Sequence, residues 1–220
     1  VRPERLLLTC LLLTVTGCSD KPPTAIDLGP GAGPGVTPTY DGGVARSQKG
    51  NLRFKGPERL SLDLAQALEL PASAVCNELG QYPCLGVHGV ALGGVDPYQH
   101  SVYETAPVTG AATPLAVERT VLSACNARIA LDVNAPSSAV VFKDVTLTGG
   151  KLQDAASPAV ATALTSLVRR AWLRDPTQEE RDTLVQLARD VEATGTPNPG
   201  IAWMQAACLA VFSSAEAVFY

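Results

Sequence analysis

The chain has 220 residues, room for one domain of ordinary size plus tails, and 46% of them are hydrophobic, enough to bury a core. Aromatics contribute only 5%, while alanine, leucine and valine carry the apolar content, a profile that favours packed helices over an aromatic-rich sandwich. The formal net charge of −4, with no run of lysine or arginine, offers phosphate backbones no basic footprint and argues against nucleic acid as a partner.

Residues 1–18 read VRPERLLLTCLLLTVTGC. Arg2 and Arg5 make a positive start, and Leu6 to Thr16 make a short apolar run. A bilayer-spanning helix needs roughly 20 apolar residues, so a signal peptide over residues 1–17 is expected instead. Val15-Thr16-Gly17 before Cys18 resembles the lipobox of bacterial lipoproteins. That resemblance implies a diacylglyceryl group on Cys18 and cleavage just before it. The competing reading is a buried N-terminal helix with an incidental cysteine; charge, length and the small residues all agree better with export. Acyl chains contribute about 0.8 kcal/mol per buried CH₂ and stable anchoring takes more than one, a condition that a triacylated Cys18 meets. Ser19 stands where aspartate would resemble an inner-membrane retention signal, so the expected location is the cell envelope, lipid-anchored at the outer membrane. The lipid bilayer is thus the first expected partner. Removing residues 1–17 takes away Arg2, Glu4 and Arg5 and leaves the chain one unit more acidic.

Residues 18–50 read as the lipidated cysteine and a tether. Eleven of the 25 residues from Lys21 to Ala45 are Pro or Gly, and no apolar period survives. Such a stretch cannot repay the entropy of ordering. As a flexible coil it spans roughly 25–30 Å. The folded domain is expected over 51–220, with helices and an irregular segment in 51–156 and a three-helix end in 157–220.

Within that domain, Gly56-Pro57 opens a helical pattern with Leu60, Leu64 and Leu68 spaced four apart until Pro71. Cys76 to Ala112 is rich in Gly and Pro and reads as irregular. Thr113-Pro114 has the form of an N-cap followed by proline, and Val117, Val121, Cys125 and Ile129 share the face of a helix over about 114–130. Ala139 to Leu147 reads as a strand or a buried extended segment, ended by Gly149-Gly150. Ser157-Pro158 starts a helix with Val160, Leu164, Leu167, Val168 and Ala171 on one face. Asp175-Pro176 breaks it, and Thr177-Gln-Glu-Glu180 forms a capping box for the next, lined by Leu184, Leu187 and Val191. After a loop from Thr196 to Gly200, Ile201, Met204, Cys208, Val211, Phe212 and Ala215 stripe a third. The fold class expected is mainly α: a small helical bundle with an irregular, disulfide-bonded segment and at most one short strand pair.

The segments LVRRAWLRDPTQEERDTL (residues 167–184) and AVFSSAEAVFY (residues 210–220) resemble the helical modules of large secreted bacterial proteins fused to cytochrome-c-like domains. The resemblance covers about a quarter of the chain and rests on capping and packing residues. It implies a helical periplasmic module. It does not carry haem across, because C-x-x-C-H is absent: Leu85 follows Cys84.

Four cysteines follow the tether: Cys76, Cys84, Cys125 and Cys208. An even count in an oxidising compartment suggests two disulfides, with three pairings open. Cys76 with Cys84 is the natural local pair. Cys125 and Cys208 lie on apolar helix faces, where they form a bridge or serve as small buried hydrophobes. The same segment offers zinc a rival set in Cys76, Cys84, His88 and His100, at a spacing that matches no diagnostic pattern. His88 and His100 are the only histidines, and they make the weak candidate site. As a general base, either would need a nucleophile and a carboxylate nearby; Ser101, Asp96 and Glu104 are the neighbours in sequence, with no G-x-S-x-G elbow. Local hydrogen bonds are the simpler role. Gly89, Gly93 and Gly94 form no phosphate loop. Asp175, Glu179, Glu180 and Asp182 complement a helix dipole. Trp172, Trp203, Phe212, Phe219 and Tyr220 are expected in the bundle, the last two in the core or at a docking edge. No catalytic, cofactor-binding or metal-binding residue is assigned, and no cofactor.

Three functions are weighed. The first is a non-enzymatic scaffold or protein-interaction lipoprotein, with another envelope protein as partner. The second is an accessory module of a periplasmic redox or degradative assembly. The third is an enzyme with a site near His88.

Overall fold

Leucines four apart make the first helix. In the computed structural model, which describes residues 52–105 and 110–220, α1 spans Gly56–Ala67 and buries Leu60 and Leu64, with Leu68 enclosed at its C-cap. The signal peptide, Cys18 and the tether to residue 50 lie outside the described residues. Glu69, left-handed at φ 49°, turns the chain out of the helix, and Pro71 caps the single turn α2 (Ala72–Val75) that follows. The segment after it is mostly irregular, as expected, but holds a minimal hairpin of β1 (Asn77–Glu78) and β2 (Tyr82–Pro83) and a short helix, α3 (Cys84–His88).

α4 runs from Thr113 to Asn134 and buries the expected face of Val117, Val121, Cys125 and Ile129. Its start departs from expectation. Ala112, not Thr113, is the N-cap, and the Thr113 hydroxyl donates to the carbonyl of Ala91 at 2.6 Å. The side chain is thus used to hold down the irregular segment.

The stretch Ala139 to Leu147 forms no strand until its last residue. The reason is Asp132 on α4, whose carboxylate accepts from the backbone N–H groups of Val140, Val141 and Phe142 at 2.9, 3.0 and 3.0 Å. In a strand, successive N–H groups point to opposite sides. Three that converge on one carboxylate cannot join a ladder. Val141 and Phe142 are buried even so. Strand pairing is confined to a second hairpin, β3 (Leu147–Thr148) with β4 (Lys151–Leu152), turned by Gly149 and Gly150.

α5 (Pro158–Trp172) is capped by Ser157, whose side chain accepts from Val160 N–H, and buries Val160, Leu164, Leu167 and Val168. Leu173, left-handed at φ 58°, ends it. α6 (Gln178–Ala193) starts on the full capping box of Thr177 and Glu180. α7 (Pro199–Phe212) has one polar side chain, Gln205, in its fourteen residues. A helix apolar all round belongs inside, and α7 packs against α4, α5, α6 and β4. Gly200 in its first turn allows a close approach: a Cβ there would lie 2.5 Å from a Leu147 methyl and 3.1 Å from the Gly150 carbonyl, so both neighbours would have to shift. The stripe expected to reach Ala215 breaks at Ser213; Ala215 is exposed and opens a separate turn, α8 (Ala215–Val218).

The result is a mainly helical domain with two disulfides and two minimal strand pairs, one pair more than expected. Cys125–Cys208 joins α4 to α7, with Cα atoms 5.9 Å apart across 83 residues of sequence. Cys76–Cys84 staples the first hairpin to α3, with Cα atoms 5.4 Å apart. No helix among the described residues is long and apolar enough to cross a membrane.

Candidate functional site

The two histidines lie in the disulfide-stapled segment, and each has its own carboxylate. His88 Nε2 meets Glu78 Oε1 at 2.7 Å, and His100 Nδ1 meets Asp96 Oδ2 at 2.7 Å. Asp96 also accepts from the Gln99 N–H at 2.9 Å, and the His100 side chain stands largely in solvent. The Gln99 N–H first, and His100 second, hold the Asp96 carboxyl below its usual range. This is the local hydrogen bonding of a turn.

The His88 pair is better enclosed. β1 presents Glu78 beside α3, and the side chains of Glu78 and His88 are 16% and 15% exposed. Arg119, reaching from α4, closes the other side: its Nε donates to Glu78 Oε1 at 2.7 Å and its Nη2 to Oε2 at 2.5 Å. Arg119 first, then His88, lower the Glu78 carboxyl to about 2. Cys84, the first residue of α3, lies four residues before His88, a spacing that places both side chains on one helical face.

Ligand-type atoms of Glu78, Cys84 and His88 therefore lie within 4.8 Å of one another, the one such grouping among the described residues. It differs from the set anticipated from sequence. His100 and Cys76 stand outside it, and Glu78, not considered as a ligand, stands inside. Nothing in the spacing revealed Glu78, since its partners are 10 and 41 residues away. With Cys76 and Cys84 joined, neither sulfur is a thiolate, the form that binds metals.

Charged residues of the segment 167–184 are occupied by structural work. Arg170 donates to the Ala67 carbonyl at 2.8 Å and to Glu69 at 2.9 Å, tying α5 to the end of α1. Arg169 pairs with Asp175. Arg174 grips Glu180 through two hydrogen bonds of 2.7 and 2.9 Å, reaches Glu216 through two more of 2.7 and 2.8 Å, and lies over the Trp172 ring at 4.7 Å. Arg169, Arg170, Arg174 and Glu180 each have a partner within the domain. The aromatics divide: Trp203 and Phe212 are core, Trp172 donates its indole N–H to Val211 and Ser214, and Tyr220 projects into solvent.

Compared with protein-family models, with curated proteins and with solved structures, the chain matches none.

Proposed function

We propose that the chain is a cell-envelope lipoprotein, anchored by lipid on Cys18 at the outer membrane, whose helical domain is a non-enzymatic scaffold or protein-interaction module. The observation that carries the interaction reading is where large apolar side chains meet solvent. Of the fifteen exposed in the described residues, eight fall between Leu79 and Tyr103, including Tyr82, Tyr98 at 97% exposure and Leu79 at 87%. Tyrosines with an apolar body and a polar tip are enriched at protein interfaces. The covalent staple at Cys76–Cys84 fixes part of this segment in advance of binding, which lowers the ordering cost of association. The bundle holds the segment in place through Arg119, Thr113 and the α1 helix.

The test has two arms. An alkyne-tagged fatty acid fed to the producing cells labels the wild-type chain and leaves Cys18→Ala unlabelled; equal labelling of both removes the anchor. A photo-crosslinking side chain at Tyr98 gives a discrete protein adduct in the intact envelope that the same group at Glu192, on the far side of the sequence in α6, does not. Adducts of equal yield at both positions remove the interaction surface.

A further inference from the structure

We propose that reduction of the Cys76–Cys84 disulfide uncovers a binding site for a zinc-class divalent cation, formed by the Cys84 thiolate, His88 Nε2 and Glu78 Oε1. The donors already converge, all within 4.8 Å of one another. Tetrahedral zinc, with bonds of about 2.0–2.3 Å, sets its ligands roughly 3.5 Å apart, so closing the site takes movements of about 1 Å. Thiolate, imidazole and carboxylate are the three ligand types zinc prefers, and two of them come from adjacent turns of one helical face. Arg119 supports the third: with its Nη2 on Glu78 Oε2 and its Nε on Oε1, it orients the carboxylate from behind, and the cation would take the place on Oε1 that the His88 Nε2–H now holds. The site is partly enclosed, with Cys84 buried and the other two side chains mostly so.

What keeps the site closed is the bond to Cys76. A dithiol reductant breaks it: two electrons and two protons pass to Cys76 and Cys84 as thiols, and the reductant becomes its own disulfide. The cation then displaces the Cys84 thiol proton into solvent. At His88 the proton that Nε2 shares with Glu78 gives way to one on Nδ1, so that Nε2 presents its lone pair. Cys76 is the mask in this scheme and water takes the fourth position.

The experiment uses the full chain with cobalt(II), then zinc alone in competition with a chromophoric chelator. A trialkylphosphine serves as reductant, because a dithiol would itself hold the metal; the phosphine becomes its oxide with oxygen from water. Reduced wild type binds one cobalt with a thiolate charge-transfer band, and oxidised wild type shows none. Cys76→Ser, which frees Cys84 without touching the three donors, binds without reductant. Cys84→Ser is silent in both states. Glu78→Gln and His88→Ala each weaken zinc binding by more than roughly tenfold, the scale on which even an outer-shell change acts. The proposal is overturned if reduced wild type shows no band, if Cys76→Ser with intact helical circular dichroism is silent, if Cys84→Ser retains the band, or if either donor variant keeps wild-type affinity.

Discussion

Asp132 follows Arg128 by one turn on α4, with Oδ1 2.9 Å from Arg128 Nε and the carboxylate wholly enclosed. The guanidinium Nε makes no aligned hydrogen bond, so the two are held by charge at close range. Arg128 also faces the Leu68 carbonyl at the end of α1, at 3.5 Å. The acid thus compensates a buried cation and three backbone N–H groups at once. An amide in its place keeps the size, loses the charge and turns two donors toward donors. Asp132→Asn is expected to destabilise the domain by about 3–5 kcal/mol, the cost of breaking a buried pair from one side. Urea unfolding followed by circular dichroism reads it; a loss below about 1 kcal/mol would show that the segment after α4 does not depend on this carboxylate.

The bridge from Cys125 to Cys208 joins two fully buried helix faces, between α4 and the central α7. In the chain-entropy account a closed loop of this size stabilises by roughly 4.5 kcal/mol, against about 2.5 kcal/mol for a loop of eight. Both sulfurs fill space in the core, so alanine at both positions also removes apolar contacts. The Cys125→Ala/Cys208→Ala protein is expected to keep its helical spectrum and to unfold at lower urea concentration, with a larger loss than Cys76→Ser/Cys84→Ser, whose loop closes only eight residues. Equal losses from the two pairs would contradict the loop-length argument.

Much of this architecture was legible because it is local. Leu60, Leu64 and Leu68, the α4 face from Val117 to Ile129, and the Thr177–Glu180 box each repeat or cap within a few residues, where sequence spacing and spatial neighbourhood coincide. An even count suggested two disulfides and closeness in sequence suggested Cys76–Cys84, while two apolar faces left Cys125 and Cys208 as a bridge or as buried hydrophobes, and the structure shows the bridge. The failures share a different cause. Of the two readings of Ala139 to Leu147, the strand is prevented by a carboxylate on the preceding helix, while Val141 and Phe142 are buried as the other reading expected. Thr113 has the form of a cap, and an acceptor 22 residues earlier takes its hydroxyl. Glu78 could not be linked to Arg119 by any period. Charge pairs across 41 or 42 residues leave no rhythm in the chain, yet they position the candidate cluster and clamp the C-terminal helices.

Residues 218–220 pair with the entry to α1. The N–H of Arg53 donates to the Tyr220 carbonyl and that of Tyr220 donates back, both at 3.0 Å, while Lys55 N–H donates to Val218 at 3.1 Å. Phe54 and Phe219 meet edge to face with ring centroids 5.8 Å apart. Deleting Val218 to Tyr220 therefore unpairs the entry to α1 as well as removing a buried valine. A loss on the order of 3 kcal/mol is expected from the two apolar side chains and the backbone bonds together. Unchanged thermal unfolding of the truncated protein would mean that the terminal strand-like contact contributes nothing to stability.

Acid should unfold this domain through particular carboxylates. Glu78 is lowered from 4.5 to about 2 by Arg119 and then His88, and Glu180 to about 2 by Arg174 and then the Thr177 N–H. Because each folded value lies below the unfolded one, the folded state binds fewer protons between them, and stability rises with pH across that window. The contribution is complete above about 4.5, is lost progressively as pH falls toward 2, and is absent below. Screening by solvent keeps each share modest. Urea midpoints measured from pH 6 down to pH 2 should therefore fall below about 4.5 in the wild type. Glu78→Gln and Glu180→Gln should each start lower at pH 6 and fall less steeply, and their midpoints should approach that of the wild type at the acid end. Parallel curves for all three proteins would mean that other groups carry the acid response, and that neither arginine clamp holds its carboxylate in solution.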